Sequence, residues 1–386
     1  MKRPLLYRGD FGRICGVNNR NPFVIYGYEG PSSFCDREDE TRRLRAAIEN
    51  GRNVTLLAER RMGKTGLIRH LFHSLRKEGR WATVYVDIFA TSSMAEFTRQ
   101  FAGAVIGSMD SRLDKAIVAA TRFFKSFRPE ISVDAVTGSP SVSFGLEPTN
   151  VEATIRECFD YLGRRGDCVV AIDEFQQIGT YPEKGVEALL RSHVQFLPSS
   201  RFIFAGSRHH MMAEMFASAK RPFFNSTQTI PLDRIGEDVY FEFARRKMSV
   251  VCDLPRETFH RVYSMFDGIT WYVQVVMNRL YERAVATDGA VVDVVEELLA
   301  EKAWEYAALL RSLPPGAARL IKAVARAGRV KSVTAGSFIA AHSLGAASSV
   351  HLSLKKLVAD ELLYETDSGY VVYDRLFGYW LSRLAR

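Results

Sequence analysis

Residues 56–67 constrain the fold of this 386-residue chain more than any other segment. They contain Gly63-Lys64-Thr65, the end of the pattern G-x-x-x-x-G-K-[ST], with Ala58 in place of its first glycine. This pattern is typical of a tight turn from a strand into a helix, in which backbone N–H groups point at phosphates. Lys64 would reach the β- and γ-phosphates, and the Thr65 hydroxyl would hold Mg²⁺. The residues predicted to bind nucleotide in this turn are Ala58, Glu59, Arg60, Arg61, Met62, Gly63, Lys64, Thr65 and Gly66.

The residues on either side of the turn support this interpretation. Residues 54–57 are a short apolar run that favours a β-strand. After the turn, apolar residues recur at helical spacing, namely Leu67, Ile68, Leu71, Phe72 and Leu75. The alternative is a chance Gly-Lys-Thr at the start of a helix, with Lys64 as a solvated charge. The order of strand, turn and helix favours the phosphate site.

The composition excludes several classes of protein. Apolar residues make up 47% of the chain and charged residues 25%, which is typical of a globular protein with two or three domains. No apolar run reaches the roughly 18 residues of a membrane span, and residues 1–8 lack the apolar core of a signal peptide. The five cysteines form no C-x-x-C pair, which predicts free thiols and a cytoplasmic location. A net charge of +8 permits attraction to nucleic acid without requiring it.

A pair of carboxylates supplies the second half of a nucleotide site. Asp173 and Glu174 follow the apolar run 168–172, which reads as a strand buried on both faces. Open α/β sheets place their ligands at this end of the strands. We therefore predict that Asp173 holds Mg²⁺ and that Glu174 polarises the attacking water. The alternative is an ordinary acidic turn after a strand.

A further apolar run, residues 201–205, ends close to Ser207 and Arg208. Ser207 is predicted to sense the γ-phosphate and Arg208 to stabilise charge, which makes both candidate catalytic residues beside Lys64 and Glu174. The alternative role for Ser207 is that of a helix cap. Residues 82–87 read as another strand, with Asp87 at its tip as a cleft residue or a plain strand-end carboxylate.

These motifs together resemble the archaeal-type ATPases of the STAND class, which are relatives of AAA+ proteins. The resemblance is carried by residues 34–40 (F-x-x-R-E-x-E), 60–65 (R-R-x-G-K-T), 172–176 (h-D-E-h-Q), 206–216 and 373–381 (D-x-x-F-x-x-W). It implies an α/β fold in which a P-loop NTPase parallel sheet is flanked by helices and followed by a helical lid and a C-terminal winged-helix domain. It also implies ATP and Mg²⁺ as cofactors, and places Arg37 near the adenine.

The chain departs from the family pattern at two further positions. Many members carry an arginine after the sensor helix, where this chain has Ser226, and a proline in the lid, where it has Thr270. An arginine supplied to the γ-phosphate raises turnover by orders of magnitude. Its absence predicts slow hydrolysis unless Arg208, Arg221 or a neighbouring subunit substitutes.

Changes in composition divide the chain into four regions. We predict an N-terminal arm over 1–31, a P-loop core over 32–235, a helical lid with connecting helix over 236–312, and a winged-helix domain over 313–386. Residues 110–127 read as a basic helix, and residues of about 128–150 as an inserted hairpin or loop.

The C-terminal domain has three helices followed by two strands. If it binds DNA, its third helix, over residues 348–358, enters the major groove. Val350, Leu354, Leu357 and Val358 would then face inward. The outward residues would be Ser349, His351, Ser353, Lys355 and Lys356, which is a small basic footprint.

The leading hypothesis is therefore an ATP-binding switch with slow Mg-dependent hydrolysis, whose state the winged helix reads out. Its partners would be ATP or ADP, with DNA and a protein partner or self-association as further candidates, and no membrane. The alternatives are a DNA-binding winged-helix protein with a degenerate nucleotide site, and a nucleotide-bound scaffold that recruits a protein. ATP turnover with and without DNA separates them.

Overall fold

A computed structural model describes residues 20–109, 127–133, 140–146, 151–366 and 368–384. At its centre is a parallel five-stranded sheet with the order β2-β5-β6-β1-β7. Its strands are β1 (Val54–Leu57), β2 (Ala82–Asp87), β5 (Cys168–Asp173), β6 (Ser200–Gly206) and β7 (Gln228–Pro231). This confirms the predicted α/β sheet, since all the carboxyl ends of its strands lie at one edge.

Alternation of side chains along β5 creates the two apolar layers that hold the sheet between helices. Val169 and Ala171 belong to one buried cluster, and Val170 and Ile172 to the other. A strand covered on both faces must be apolar throughout, and all six residues of β5 are buried. The flanking helices are α1 (Glu38–Glu49), α2 (Lys64–Glu78), α3 (Met94–Met109), α4 (Val151–Arg165), α5 (Val186–Gln195) and α6 (His209–Ala217).

Helix α2 begins directly after the glycine-rich turn, as predicted. Its apolar stripe is buried, with each of Leu67, Ile68, Leu71, Phe72 and Leu75 at most 1% exposed. Burying five such side chains contributes on the order of 10 kcal/mol before conformational entropy is counted. This packing fixes where the first turn of α2 lies relative to β1.

The segment between α3 and α4 contains an antiparallel hairpin. Strands β3 (Phe127–Val133) and β4 (Pro140–Leu146) pair with Phe127 opposite Leu146. Of the two forms left open for this insertion, the hairpin is the observed one. The predicted helix over 110–127 falls on residues 110–126, outside the described part of the chain, and Phe127 begins β3.

The second half of the chain is mainly helical. Its helices are α7 (Glu237–Met248), α8 (Arg256–Met265), α9 (Thr270–Arg283), α10 (Asp288–Ser312), α11 (Pro315–Ala327), α12 (Gly336–His342), α13 (Ala347–Ala359) and α14 (Arg375–Arg383). Strands β8 (Leu363–Thr366) and β9 (Gly369–Val372) form the wing, and Val330 adds a bridge to Tyr370. Buried side chains of these helices are continuous with the cluster around α1 and α2.

Helix α13 corrects one prediction. Val350, Leu354 and Leu357 are buried as predicted, but Val358 is 39% exposed and Leu352 is 68% exposed. Val358 is the penultimate residue of the helix. The helix therefore presents apolar as well as basic side chains to solvent.

Of the five cysteines, Cys35, Cys158, Cys168 and Cys252 are free thiols, and Cys15 lies outside the described residues. Burial raises the pKa of Cys35 to about 12 and that of Cys168 to about 11, so both thiols are protonated. Within the described ranges, the helices are too short or too polar for any of them to cross a bilayer.

Candidate nucleotide site

The carboxyl ends of β1, β5 and β6 meet at a cavity of about 400 Å³. Most of its lining comes from the segment before α1, the turn over residues 60–66 and the start of α9, and Glu174, Ser207 and Ile235 complete it. Gly63 closes the turn with φ 91°, a conformation that favours glycine. The strand-to-helix geometry predicted from the motif is therefore present.

The missing first glycine causes no strain in the turn. Ala58 is buried and is not among the residues with positive φ, whereas Arg61 adopts φ 67°. Ala58 and Glu59, both predicted to bind nucleotide, line a neighbouring cavity instead. There, Glu59 pairs with Arg234 at 3.6 Å.

Lys64 is the strongest candidate for binding an anion. Its side chain is 6% exposed, and its ammonium donates to the carbonyl of Glu59 at 3.4 Å. Burial lowers the pKa of Lys64, and the nearby carboxylates of Asp173 and Glu174 oppose this shift. A buried cation held by one long hydrogen bond is stabilised by an anion that enters the cavity.

Thr65 and Asp173 come together as predicted. The Thr65 hydroxyl donates to Asp173 Oδ2 at 2.7 Å, and the Tyr85 hydroxyl donates to the same oxygen at 2.8 Å. The backbone N–H of Glu174 donates to Asp173 Oδ1 at 3.0 Å. A hydroxyl beside a fixed carboxylate fits Mg²⁺, which is usually bound by one or two carboxylates together with phosphates.

Glu174 is held by two side chains. Ser207 Oγ donates to Glu174 Oε2 at 2.7 Å, and Gln176 Nε2 donates to the same oxygen at 2.5 Å. Glu174 itself has φ 56°, which turns the chain sharply after β5. The suggested role of Ser207 as a helix cap is wrong, since Arg208 occupies the cap position of α6. Ser207 therefore links the tip of β6 to the predicted catalytic carboxylate.

The arm and the lid both bind the backbone of the turn. The buried Arg37 donates to the carbonyl of Met62 at 3.2 Å and pairs with Glu40 at 2.8 Å. From α9, the Thr270 hydroxyl also donates to Met62 O at 3.4 Å, and the Trp271 N–H donates to Arg61 O at 3.0 Å. Arg37 thus lines the cavity while holding the turn in place.

Much of the cavity is lined by residues of the arm, which none of the sequence motifs indicated. Asn21 Nδ2 donates to the carbonyl of Asn278 at 2.8 Å, and Asn278 Nδ2 donates to that of Phe23 at 2.7 Å. These reciprocal bonds fix the arm against α9 and place residues 24–30 over the turn. The arm as a whole, residues 1–31, is rich in Gly, Asn and Pro and has no periodic signal from which this position could be predicted.

The winged helix reaches the same turn from the other side. Glu361, just before β8, pairs with Arg60 at 3.3 Å and with Arg208 at 3.0 Å. The Tyr373 hydroxyl accepts from the backbone N–H of Arg60 at 2.9 Å. Arg208 thus points toward Glu361 and is not among the residues that line the cavity. No motif in the sequence indicated Glu361.

Asp374 joins three parts of the chain. It pairs with Arg61 at 2.9 Å, accepts from the Tyr272 hydroxyl at 3.0 Å, and caps α14 by accepting from the Phe377 N–H at 3.0 Å. The aspartate of the C-terminal motif therefore connects the turn, the lid and the winged helix.

Ser226 and Arg221, the two positions that the sequence connected with a catalytic arginine, lie away from the cavity. Ser226 precedes β7 at the opposite edge of the sheet, where its hydroxyl donates to the carbonyl of Phe223 at 2.6 Å. At about 3.3 Å per residue, it is on the order of 15 Å from the carboxyl end of β7. Arg221 pairs with Glu187 and Glu214. An arginine at position 226 would not reach the turn of the same chain. The absence of an arginine at this position therefore does not explain slow turnover within a single chain.

Comparisons with known proteins agree with this geometry. The chain resembles a Walker-type ATPase of Pyrococcus abyssi, with a TM-score of 0.67 and 20% identity over 93% of this chain and 99% of that one. It also resembles the ORC2 protein of Aeropyrum pernix, solved in ADPNP-ADP complexes, with a TM-score of 0.56 and 16% identity over 96% and 99%. At this identity the likeness concerns the fold. No curated protein sequence was found to match.

Two family profiles cover most of the chain. Residues 304–383 match the family described as "Probable winged helix domain", which starts earlier than the predicted boundary at 313. Residues 34–276 match "ATPase domain predominantly from Archaea". With a parallel sheet, a strand-to-helix turn at Gly63 and a winged helix, the chain belongs to the family of P-loop ATPase domains found predominantly in Archaea.

Proposed function

We propose that this chain binds Mg-ATP and hydrolyses it slowly, acting as a conformational switch of the STAND type. One observation carries the proposal: the buried ammonium of Lys64 lies next to the hydrogen-bonded pair of Thr65 and Asp173. Lys64 and Thr65 line the cavity, and the Asp173 carboxylate is bonded to the Thr65 hydroxyl there.

Each of these groups has a distinct role. Lys64 and the backbone N–H groups of the turn bind the β- and γ-phosphates. Thr65 and Asp173 hold Mg²⁺, which neutralises phosphate charge when bound. Glu174 orients the attacking water, and Ser207 follows the γ-phosphate through its bond to Glu174.

The restraint on Glu174 supports slow turnover. Two donors, Ser207 and Gln176, occupy one oxygen of its carboxylate. A carboxylate that already accepts hydrogen bonds from these two groups binds the attacking water more weakly until one of the bonds breaks. Arg208 is likewise engaged by Glu361 and must change partner before it can stabilise phosphate charge.

The Glu174→Gln variant tests the enzymatic part of the proposal. We expect hydrolysis to fall by about 100-fold or more, because the base is lost, with Mg-ATP affinity kept within about threefold. The assay is phosphate release with and without duplex DNA, beside calorimetry. Glu257→Gln, on the exposed face of α8, is the matched control and should change neither quantity. Failure of the wild type to bind Mg-ATP at millimolar concentration would refute the proposal.

The contacts of Glu361 support a switch that the winged helix reads out. Its carboxylate pairs with Arg60 of the turn and with Arg208, which lies just after β6. Arg60 lines the cavity, and Arg208 directly follows the cavity residue Ser207, so a bound γ-phosphate would compete with the winged helix for both cations. A ligand shifts such an equilibrium only through its different affinity for the two arrangements.

We therefore expect Glu361→Gln to raise the affinity for Mg-ATP by about threefold to fivefold, and that for ADP by less. Removing the carboxylate frees both arginines for the triphosphate. Titration calorimetry with each nucleotide measures the effect, and Glu365→Gln on the exposed side of β8 is the control. An unchanged or weaker affinity for ATP would contradict the switch.

DNA remains the second candidate partner. The observation in its favour is that α13 of the winged helix exposes Ser349, His351 and Lys355. Against it, Lys356 pairs with Asp360 at 2.9 Å and Leu352 lies exposed on the same helix. A protein partner or self-association fits such a mixed surface as well. Duplex binding that weakens with salt and survives Lys64→Met would favour DNA.

A further inference from the structure

Gln274 lies in the nucleotide cavity with an unsatisfied acceptor. The residue is 7% exposed and lines the cavity beside the phosphate-binding turn. Its side-chain oxygen, Oε1, is buried and has no hydrogen-bond partner among the described residues. Such an atom is destabilising unless a ligand satisfies it, since an unmade buried hydrogen bond costs free energy.

Helix geometry places Gln274 at the base end of the cavity. Thr270, Gln274 and Asn278 are spaced by four residues and share one face of α9. Thr270 contacts Met62 of the turn, and Asn278 contacts Phe23 of the arm. Gln274 is therefore one helical turn, about 5.4 Å, farther from the phosphates than Thr270. The apolar side chains that line the cavity include Val24, Ile25, Phe34, Ile235 and Trp271.

A neighbouring tyrosine sets the orientation of the amide. The Tyr240 hydroxyl is buried and donates its hydrogen to the carbonyl of Thr270 at 3.3 Å, so its oxygen remains an acceptor. Gln274 also opposes the rise in pKa that burial causes at Tyr240, as an amide NH₂ directed at the tyrosine oxygen would. With the NH₂ on that side, Oε1 is the free end, which agrees with its lack of a partner.

We propose that Gln274 Oε1 accepts a hydrogen bond from the 6-amino group of a purine, and so selects adenine over 6-oxo purine nucleotides. This inference rests on the proposed binding of Mg-ATP. A 6-oxo group presents a second acceptor to Oε1, so both oxygens would be left unpaired in a buried site. Sites built to hydrogen-bond one substrate group discriminate strongly against analogues that lack it.

The experiment compares ATP with ITP, which carries a 6-oxo base on the same triphosphate. Displacement of a ribose-labelled fluorescent ATP gives the dissociation constant of each nucleotide. We expect wild type to favour ATP by at least about tenfold, and Gln274→Met to reduce the ratio to within about threefold. Gln195→Met, an exposed glutamine on α5, should keep the wild-type ratio.

The outcomes separate the two proposals. Wild type that binds neither nucleotide refutes Mg-ATP binding itself. Wild type that binds both equally, or a folded Gln274→Met protein with an unchanged ratio, overturns the role of Gln274 and leaves ATP binding intact. If Gln274→Met does not fold, Tyr240→Phe decides the matter. In Tyr240→Phe the amide of Gln274 is free to rotate by half a turn. A reduced preference for ATP over ITP then supports the proposal, and an unchanged preference overturns it.

Discussion

The Lys64→Met variant is expected to bind Mg-ATP at least about 100-fold more weakly than wild type. Charge-assisted hydrogen bonds contribute about 1.5–3 kcal/mol each, and Lys64 is a buried cation in the turn that lines the cavity. Methionine keeps the length and the apolar contacts of the side chain. Calorimetry with Mg-ATP measures the loss.

The same variant should be more stable than wild type without nucleotide. Burial lowers the pKa of Lys64, so the empty site disfavours its charge, and removing that charge should raise the free energy of unfolding. Lys77→Met, at the exposed end of the same helix, is the control for both measurements. Retention of wild-type affinity by Lys64→Met would show that the turn does not bind the phosphates.

The Asp374→Ala variant should lower the free energy of unfolding by about 2–4 kcal/mol. It removes the cap of α14, the partner of Arg61 and the acceptor of the Tyr272 hydroxyl together. Tyr272 is 1% exposed, so its hydroxyl cannot find water instead. Urea denaturation measures the change, and limited proteolysis reports whether the winged helix separates from the turn.

Two further variants identify which contact matters. Asp374→Asn keeps the cap and an acceptor for Tyr272 but loses the charge opposite Arg61. We therefore expect it to lower the free energy of unfolding by about half as much as Asp374→Ala does. Asp360→Ala breaks only an exposed pair with Lys356 and should stay within about 0.5 kcal/mol of wild type. An effect of Asp374→Ala no larger than that of Asp360→Ala would show that Asp374 does not join the three parts.

Much of the site was predictable because it is built from short, local patterns. Gly63 and Lys64 indicate a strand-to-helix turn, and Asp173 and Glu174 indicate the end of a buried strand. Parallel strands bring their carboxyl ends together, so the two motifs had to meet. The bond from Thr65 to Asp173 is the direct result. The winged helix was predictable for the same reason, from the order of its elements.

Other features depend on contacts that no local pattern contains. The family resemblance suggested Ser226 as the place of a missing catalytic arginine, yet the parallel topology puts it at the opposite edge of the sheet. The motif gave Ala58 a place among the nucleotide-binding residues, but its side chain lines a neighbouring cavity. A motif position does not specify the direction in which a residue faces.

The sequence by itself determined the P-loop sheet, the carboxylate pair that follows β5 and the winged helix, since periodicity and turn chemistry are local. Only the tertiary structure decided which residues complete the site. Gln274 on the lid and Glu361 on the winged helix reach the cavity or its turn because segments distant in the sequence pack around one apolar cluster. Such pairings depend on the shapes of the packed faces, which residue order along the chain does not specify.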